Sequence, residues 1–168
     1  MLRLRPYKAC DAKTIVTWVG DEVAFRKWCA DRYDHYPISA ADMNVHYDNV
    51  AQDDNFYQFT AFDETGIVGH LIMRFTDEEK KVLRFGFVIV DPDKRGKGYG
   101  KEMLVLAIKY AFEILKTEKI TLAAFDNNPE AIRCYKSVGF KEVIPDEERP
   151  FRPFDEDWKR VEMEIERC

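Results

Sequence analysis

Apolar and polar positions alternate over residues 2–5, then take up helical spacing, and the chain switches between these two periods along its length. Alternation marks a strand with one buried face; recurrence at three and four residues marks a helix with one buried stripe. After the first strand, Asp11 is placed to cap a helix over 12–19, which Gly20 ends. Asp21 then caps a second helix over 22–30. Residues 31–38 form an aromatic-rich loop, and Ser39 with Asp42 forms a capping box that opens a helix over 40–50. The signal next becomes β: strands are expected over 56–63, 67–75 and 82–90, separated by turns at 63–66 and 76–80. A helix follows Gly98, with Leu104, Ala107, Ile108, Ala111, Phe112 and Leu115 on one stripe. Residues 120–125 read as a strand, 129–137 as a helix stopped by Gly139, 140–144 as a strand, 145–157 as a Pro-rich acidic loop, and 158–167 as a final strand. The sum is a single α+β domain over 1–168, with a mixed, mostly antiparallel sheet flanked by helices.

The junction between the third strand of the meander and its helix carries the clearest chemistry. Val88, Ile89 and Val90 run into Asp91-Pro92, and the segment Arg95-Gly96-Lys97-Gly98-Tyr99-Gly100-Lys101 opens the helix. Glycines let a backbone approach a ligand closely, and the free N–H groups of a helix start favour an anion. Arg95, Lys97 and Lys101 add positive charge. The segment reads as a pyrophosphate cradle. The nucleoside-triphosphate version requires Gly-Lys-Ser/Thr four residues after a glycine, but Glu102 follows Lys101 and Arg95 stands where that glycine belongs. The dinucleotide version requires a third glycine where Lys101 or Met103 stands. What remains is Arg95-x-x-Gly98-x-Gly100 after an apolar strand.

A second constellation, Asn128-Pro129-Glu130-Ala131-Ile132-x-x-Tyr135-x-x-x-Gly139-Phe140, lies beyond the next strand. The two segments together resemble the GNAT N-acetyltransferase superfamily, well over residues 56–144 and in architecture elsewhere. The Leu2-Arg-Leu-Arg-Pro6 opening and Trp18–Val23 resemble its ribosomal-protein alanine acetyltransferase branch; the Asn128–Phe140 segment resembles spermidine acetyltransferases equally. The resemblance implies acetyl-CoA as co-substrate and a primary amine, small molecule or protein N-terminus, as acceptor, joined by direct attack in a ternary complex. It implies that Arg95, Gly96, Lys97, Gly98, Tyr99, Gly100 and Lys101 hold the pyrophosphate. Val88, Ile89 and Val90 would pair with the pantetheine arm through their backbone, with Asn128 and Ala131 on its other side. Tyr135 would face the thioester sulfur. A phenol stays protonated at neutral pH, so Tyr135 can supply the proton a departing thiolate needs.

Other residues bear on the acceptor and the base. Many relatives carry a Glu where Arg84-Phe-Gly-Phe87 stands, which leaves His70 as a candidate base, with His35, His46, Asp31 and Asp34 behind it and a water relay as the alternative. Trp28, Tyr33, His35, Tyr36 and Tyr47, with Asp31 and Asp34 among them, would frame an acceptor pocket. Phe151, Phe154, Asp155, Glu156, Asp157 and Trp158 would face them. Aromatics beside carboxylates suit a protonated amine. The net charge of −5 favours a cationic acceptor and argues against nucleic acid. Cys10, Cys29, Cys134 and Cys168 match neither a zinc nor a redox spacing, so no metal is expected. Without a signal core or a membrane-length apolar run, the chain is expected to be cytoplasmic. The final strand could pair between two copies. Competing readings are a silent acyl-CoA-binding module and a nucleotide-binding regulatory domain.

Overall fold

A computed structural model describes residues 1–168. Seven strands form one sheet: β1 (Arg3–Pro6), β2 (Phe56–Asp63), β3 (Gly66–Phe75), β4 (Val82–Val90), β5 (Lys119–Phe125), β6 (Lys141–Val143) and β7 (Arg160–Glu166). Their order is β1-β2-β3-β4-β5-β7-β6, and every neighbouring pair is antiparallel except β4–β5. Five helices flank it: α1 (Ala12–Ile15), α2 (Glu22–Cys29), α3 (Ala40–Val50), α4 (Tyr99–Glu113) and α5 (Pro129–Ser137). The α+β reading therefore holds, and so do the meander and most of the boundaries. No helix is long and apolar enough to cross a membrane.

Each face of the sheet has its own core. Met103, Leu104, Ala107 and Ala111 of α4 pack with Leu71, Met73, Leu83 and Phe85 on one side. Ile15, Phe25, Met43 and Tyr47 from α1–α3 pack with Ile72, Phe87 and Ile89 on the other. Burying the Leu, Ile, Met and Phe side chains among them contributes about 1.5–3 kcal/mol each.

Four expectations need correction. Asp11 does not cap a helix by the ordinary route. Its carboxylate is buried and takes two Arg5 hydrogen bonds at 2.8 Å, the Lys8 N–H at 2.9 Å and the Thr60 hydroxyl at 2.8 Å. The segment expected as one helix is instead a short α1 between 3-10 turns at Ala9–Asp11 and Val16–Trp18. Adjacent β-branched Val16 and Thr17 disfavour its continuation. Trp158 is not part of the last strand: it bridges to Phe151 and packs on Phe125. Finally, β7 is not the outermost strand: β6 covers its outer side at Glu162–Glu164.

His70 is fully buried, with Nε2 2.6 Å from the Tyr47 hydroxyl. Burial pushes its imidazole from 6.5 down to about 3. The unfolded chain therefore binds a proton there that the folded chain refuses below pH 6.5. Each such proton withdraws about 1.4 kcal/mol of stability per pH unit. Half-buried His46 is lowered by burial in the same sense; His35, raised by its hydrogen bonds to Asp34 and Asp42, acts oppositely but is screened at the surface. Stability should be complete above pH 6.5 and fall as pH drops toward 3. Urea midpoints measured from about pH 7 to 4.5 should decline. The double variant Tyr47→Phe/His70→Leu, which removes both partners, should decline less steeply. An equal decline would mean that His70 is not the cause.

Candidate active site

The site begins with a failure of pairing. β4 and β5 are registered only at Val82↔Lys119, Leu83↔Ile120 and Arg84↔Thr121. Beyond Arg84, β4 stays with β3 as far as Gly69↔Val90, while β5 stays with β7 as far as Phe125↔Arg160. The two parallel strands thus splay apart, and the β5-facing backbone of Phe85–Val90 has no strand to bond.

A bulge accompanies the split. His70 pairs with Ile89 and Ile72 with Gly86, so Leu71 opposes both Phe87 and Val88. Phe87 accommodates the extra residue at φ +48°, unusual for a side chain of its size. The bulge reverses the alternation. Leu83 and Phe85 face the α4 core, whereas Phe87 and Ile89 face the α1–α3 core, and Val88 and Val90 turn toward α4.

The glycine segment closes one end of the opening. Asp91 accepts the Asp93 N–H at 3.0 Å and starts a turn through Pro92–Lys94; Arg95 Nε then bonds the Val90 carbonyl at 3.2 Å. Gly96 and Gly98 take φ +73° and +89°, in the left-handed region that glycine accepts without strain. A Cβ on either would meet nothing within 4 Å, so both backbones border open space. Gly98 caps α4 without a side-chain bond, which leaves first-turn N–H groups of α4 free for an anion.

Opposite β4, Asn128 precedes α5 and spends no side-chain bond on capping it. Two turns on, Tyr135 is buried in the α4-side core and packs against Phe140, 6.3 Å between ring centres. Its phenol is pushed up by burial first and by Cys134 second, so it remains protonated. The Cys134 thiol is also raised by burial, which makes it a poor nucleophile.

These elements enclose one cavity of about 550 Å³. Of the residues expected from sequence, Val88, Ile89, Val90, Arg95, Gly96, Gly98, Gly100, Lys101, Asn128, Ala131 and Tyr135 line it. Lys97 and Tyr99 do not. Lys97 Nζ turns back to the Asp93 carbonyl at 3.1 Å, and the Tyr99 hydroxyl donates to Asp63 at 2.8 Å.

The proposed acceptor residues fare differently. Tyr33 and Tyr47 are buried in the α1–α3 core with Phe25 and Phe87, and Tyr36 packs on Phe25. His35 is exposed and held by Asp34 and Asp42. Phe151 stacks on Phe125, Trp158 meets Phe125 edge-on, and Phe154 packs on Trp158. Only Trp28 of that set reaches the cavity. His70 is sealed away from it behind Tyr47 and Tyr7, so it is not a base for this site. The wall that sequence reasoning missed comes from Trp18, Val19, the cap residue Asp21, and Val23, Ala24 and Lys27 of α2. Periodicity identifies α2 as amphipathic, yet a helix that lines a cavity and one that only covers a core show the same spacing.

The residues present fit a CoA-type ligand. Two open glycines, a helix start with no side-chain cap, Arg95 and Lys101 suit its diphosphate. A backbone edge without a strand partner suits its amide-bearing arm.

Comparison with known proteins agrees. A family model described as an acetyltransferase (GNAT) domain matches residues 1–141. An uncharacterized N-acetyltransferase from the SPbeta prophage of Bacillus subtilis is 26% identical over 63% of this chain and 59% of its own. The acetyltransferase PseH of Campylobacter jejuni is 33% identical over 61% of each chain. The matches thus span about three-fifths of the length of these two relatives. The fold is that of the Vibrio cholerae spermidine N-acetyltransferase solved with CoA and spermine, at a TM-score of 0.83, 23% identity and coverage of 98% of this chain and 95% of that one.

Gly100 offers a direct test of the cradle. A Cβ there would sit 3.5 Å from Cys134 Sγ and 3.6 Å from Val90 Cγ2, tolerable for the protein but leaving no room for branches. Gly100→Ala should weaken CoA binding about tenfold, measured by calorimetry, while the unliganded protein stays folded. Unchanged affinity would move the diphosphate elsewhere.

Proposed function

We propose, from the premise that this chain belongs to the acetyltransferase (GNAT) family, that it transfers the acetyl group of acetyl-CoA to a primary amine in a ternary complex. One observation carries the reading: the splayed β4 edge, the open glycine cradle and the Tyr135 phenol all border the same cavity.

Bound acetyl-CoA would supply an acetyl group activated as a thioester. The chain supplies the rest. Backbone N–H groups around Gly96, Gly98 and Gly100, with Arg95 and Lys101, would hold the diphosphate at the start of α4. The β4 backbone at Val88–Val90 would hold the amide-bearing arm as an added strand, and the uncommitted Asn128 side chain would bond it from the α5 side. The Val88 N–H would polarise the thioester carbonyl as negative charge develops on it.

Tyr135 would donate the proton that the departing thiolate takes up. Its hydroxyl suits this task because burial keeps it protonated. The amine must shed a proton before it attacks. No histidine lines the cavity, and its carboxylates belong to Asp21 and Glu130, so that proton is assigned to water.

Tyr135→Phe should lower kcat by about 100-fold, the scale of a lost general acid, and leave CoA affinity nearly intact. Thiol release followed against a panel of amines, with CoA binding measured in parallel, checks both halves. Unchanged turnover removes Tyr135 from the chemistry.

A further inference from the structure

The acceptor end of the cavity carries an unspent positive charge. α2 runs along this wall, and the helix and its cap contribute Asp21, Val23, Ala24, Lys27 and Trp28. Trp28 packs on Phe87 at the bulge, 5.1 Å between ring centres, which sets the end of α2 that bears Lys27 beside the reacting part of β4. Lys27 is half-buried and enters no salt bridge. The carboxylate on this wall, Asp21, already gives one oxygen to the Ala24 N–H at 2.7 Å as the cap of α2. It also lies six residues from Lys27, about 9 Å along a helix axis. The whole chain carries 31 acidic against 26 basic side chains, yet the acceptor wall presents a free ammonium and a half-used carboxylate.

That balance is wrong for a polyamine. An acceptor with several ammonium groups would meet Lys27 as a like charge in a partly desolvated cleft, which costs binding. It is right for a molecule that bears both an amine and an anion. We propose that the acceptor is a primary amine carrying a carboxylate or phosphate, and that Lys27 reads the anion. The apolar surface of Val19, Val23, Ala24 and Trp28 takes the carbon body between the two charges. This inference rests on the transfer reading above and sharpens it. Lys27 is a specificity residue for the acceptor; the reaction itself does not pass through it.

The test uses matched amines with the full chain. Putrescine and 4-aminobutyrate differ in the far group, ammonium against carboxylate; ethanolamine and O-phosphoethanolamine differ by the phosphate. In thiol-release assays, the anion-bearing member of at least one pair should have the higher kcat/KM, and which pair responds distinguishes carboxylate from phosphate. Lys27→Glu should reverse that preference by at least about tenfold, and Lys27→Met should flatten it, with CoA affinity unchanged in both. A ratio that the substitutions do not move overturns the inference. So does a wild-type preference for putrescine, or a loss confined to CoA affinity, which would give Lys27 to the co-substrate. In each of those cases acetyl transfer itself stands. Thiol release with no amine, despite CoA binding, would overturn the transfer reading and this one with it.

Discussion

A strand edge inside a protein leaves a row of amide and carbonyl groups without partners, and few structures tolerate that unless something else is meant to fill the row. Here the row belongs to β4 beyond Arg84. Because β5 is held by β7, it cannot swing back to satisfy β4, and the gap persists as a feature of the sheet. The rest of the site follows from it. The bulge at Phe87 and Val88 turns the strand so that Val88 and Val90 face α4. The Asp91-Pro92 turn carries the chain out at the top of the gap, and the left-handed glycines let α4 begin there with its N–H groups uncovered.

The two cores divide the labour. The α4 side anchors the cradle and Tyr135. The α1–α3 side uses its aromatic residues as filling, with His70, Tyr47 and Tyr7 packed together beneath α3. That packing is why the aromatic residues that look like an acceptor pocket in the sequence are unavailable to one. The polar groups that do reach the cavity from this side are few, and the two charged ones, Asp21 and Lys27, have opposite sign. Selectivity at such a wall comes from which ligand charges it can tolerate as much as from which it attracts.

Much of the architecture was legible because it is local. Caps at Asp21 and Ser39, the stop at Gly139 and the stripe on α4 are decided by neighbours in the chain. The cradle was legible because glycines at fixed spacing between a strand and a helix have few other uses. What could not be read was whatever depends on a partner far away. Phe85 and Phe87 have the same parity, and only the pairing with β3 shows that a bulge puts them on opposite faces. Asp11 looks like a cap until Arg5 and Thr60 claim its carboxylate. Tyr99 and Lys97 sit inside the motif, but their side chains are drawn off by Asp63 and Asp93. The final strand looks like an edge until the short β6 is found outside it. Lys27 gave no signal at all, since a lysine on an amphipathic helix is ordinarily surface.

The strand order also has a kinetic meaning. β2 to β4 can assemble as a unit, because the connections between them are short, whereas β1 must wait for a partner more than fifty residues away. The cleft must wait as well. Its second wall, β5, depends on a partner some forty residues further along, and that partner must slot between two strands made earlier. Loop-closure entropy makes such distant pairings late. The ligand cavity is therefore expected to be among the last regions to become ordered, and an early folding intermediate would expose on β4 the same unpaired backbone that the finished protein reserves for its ligand.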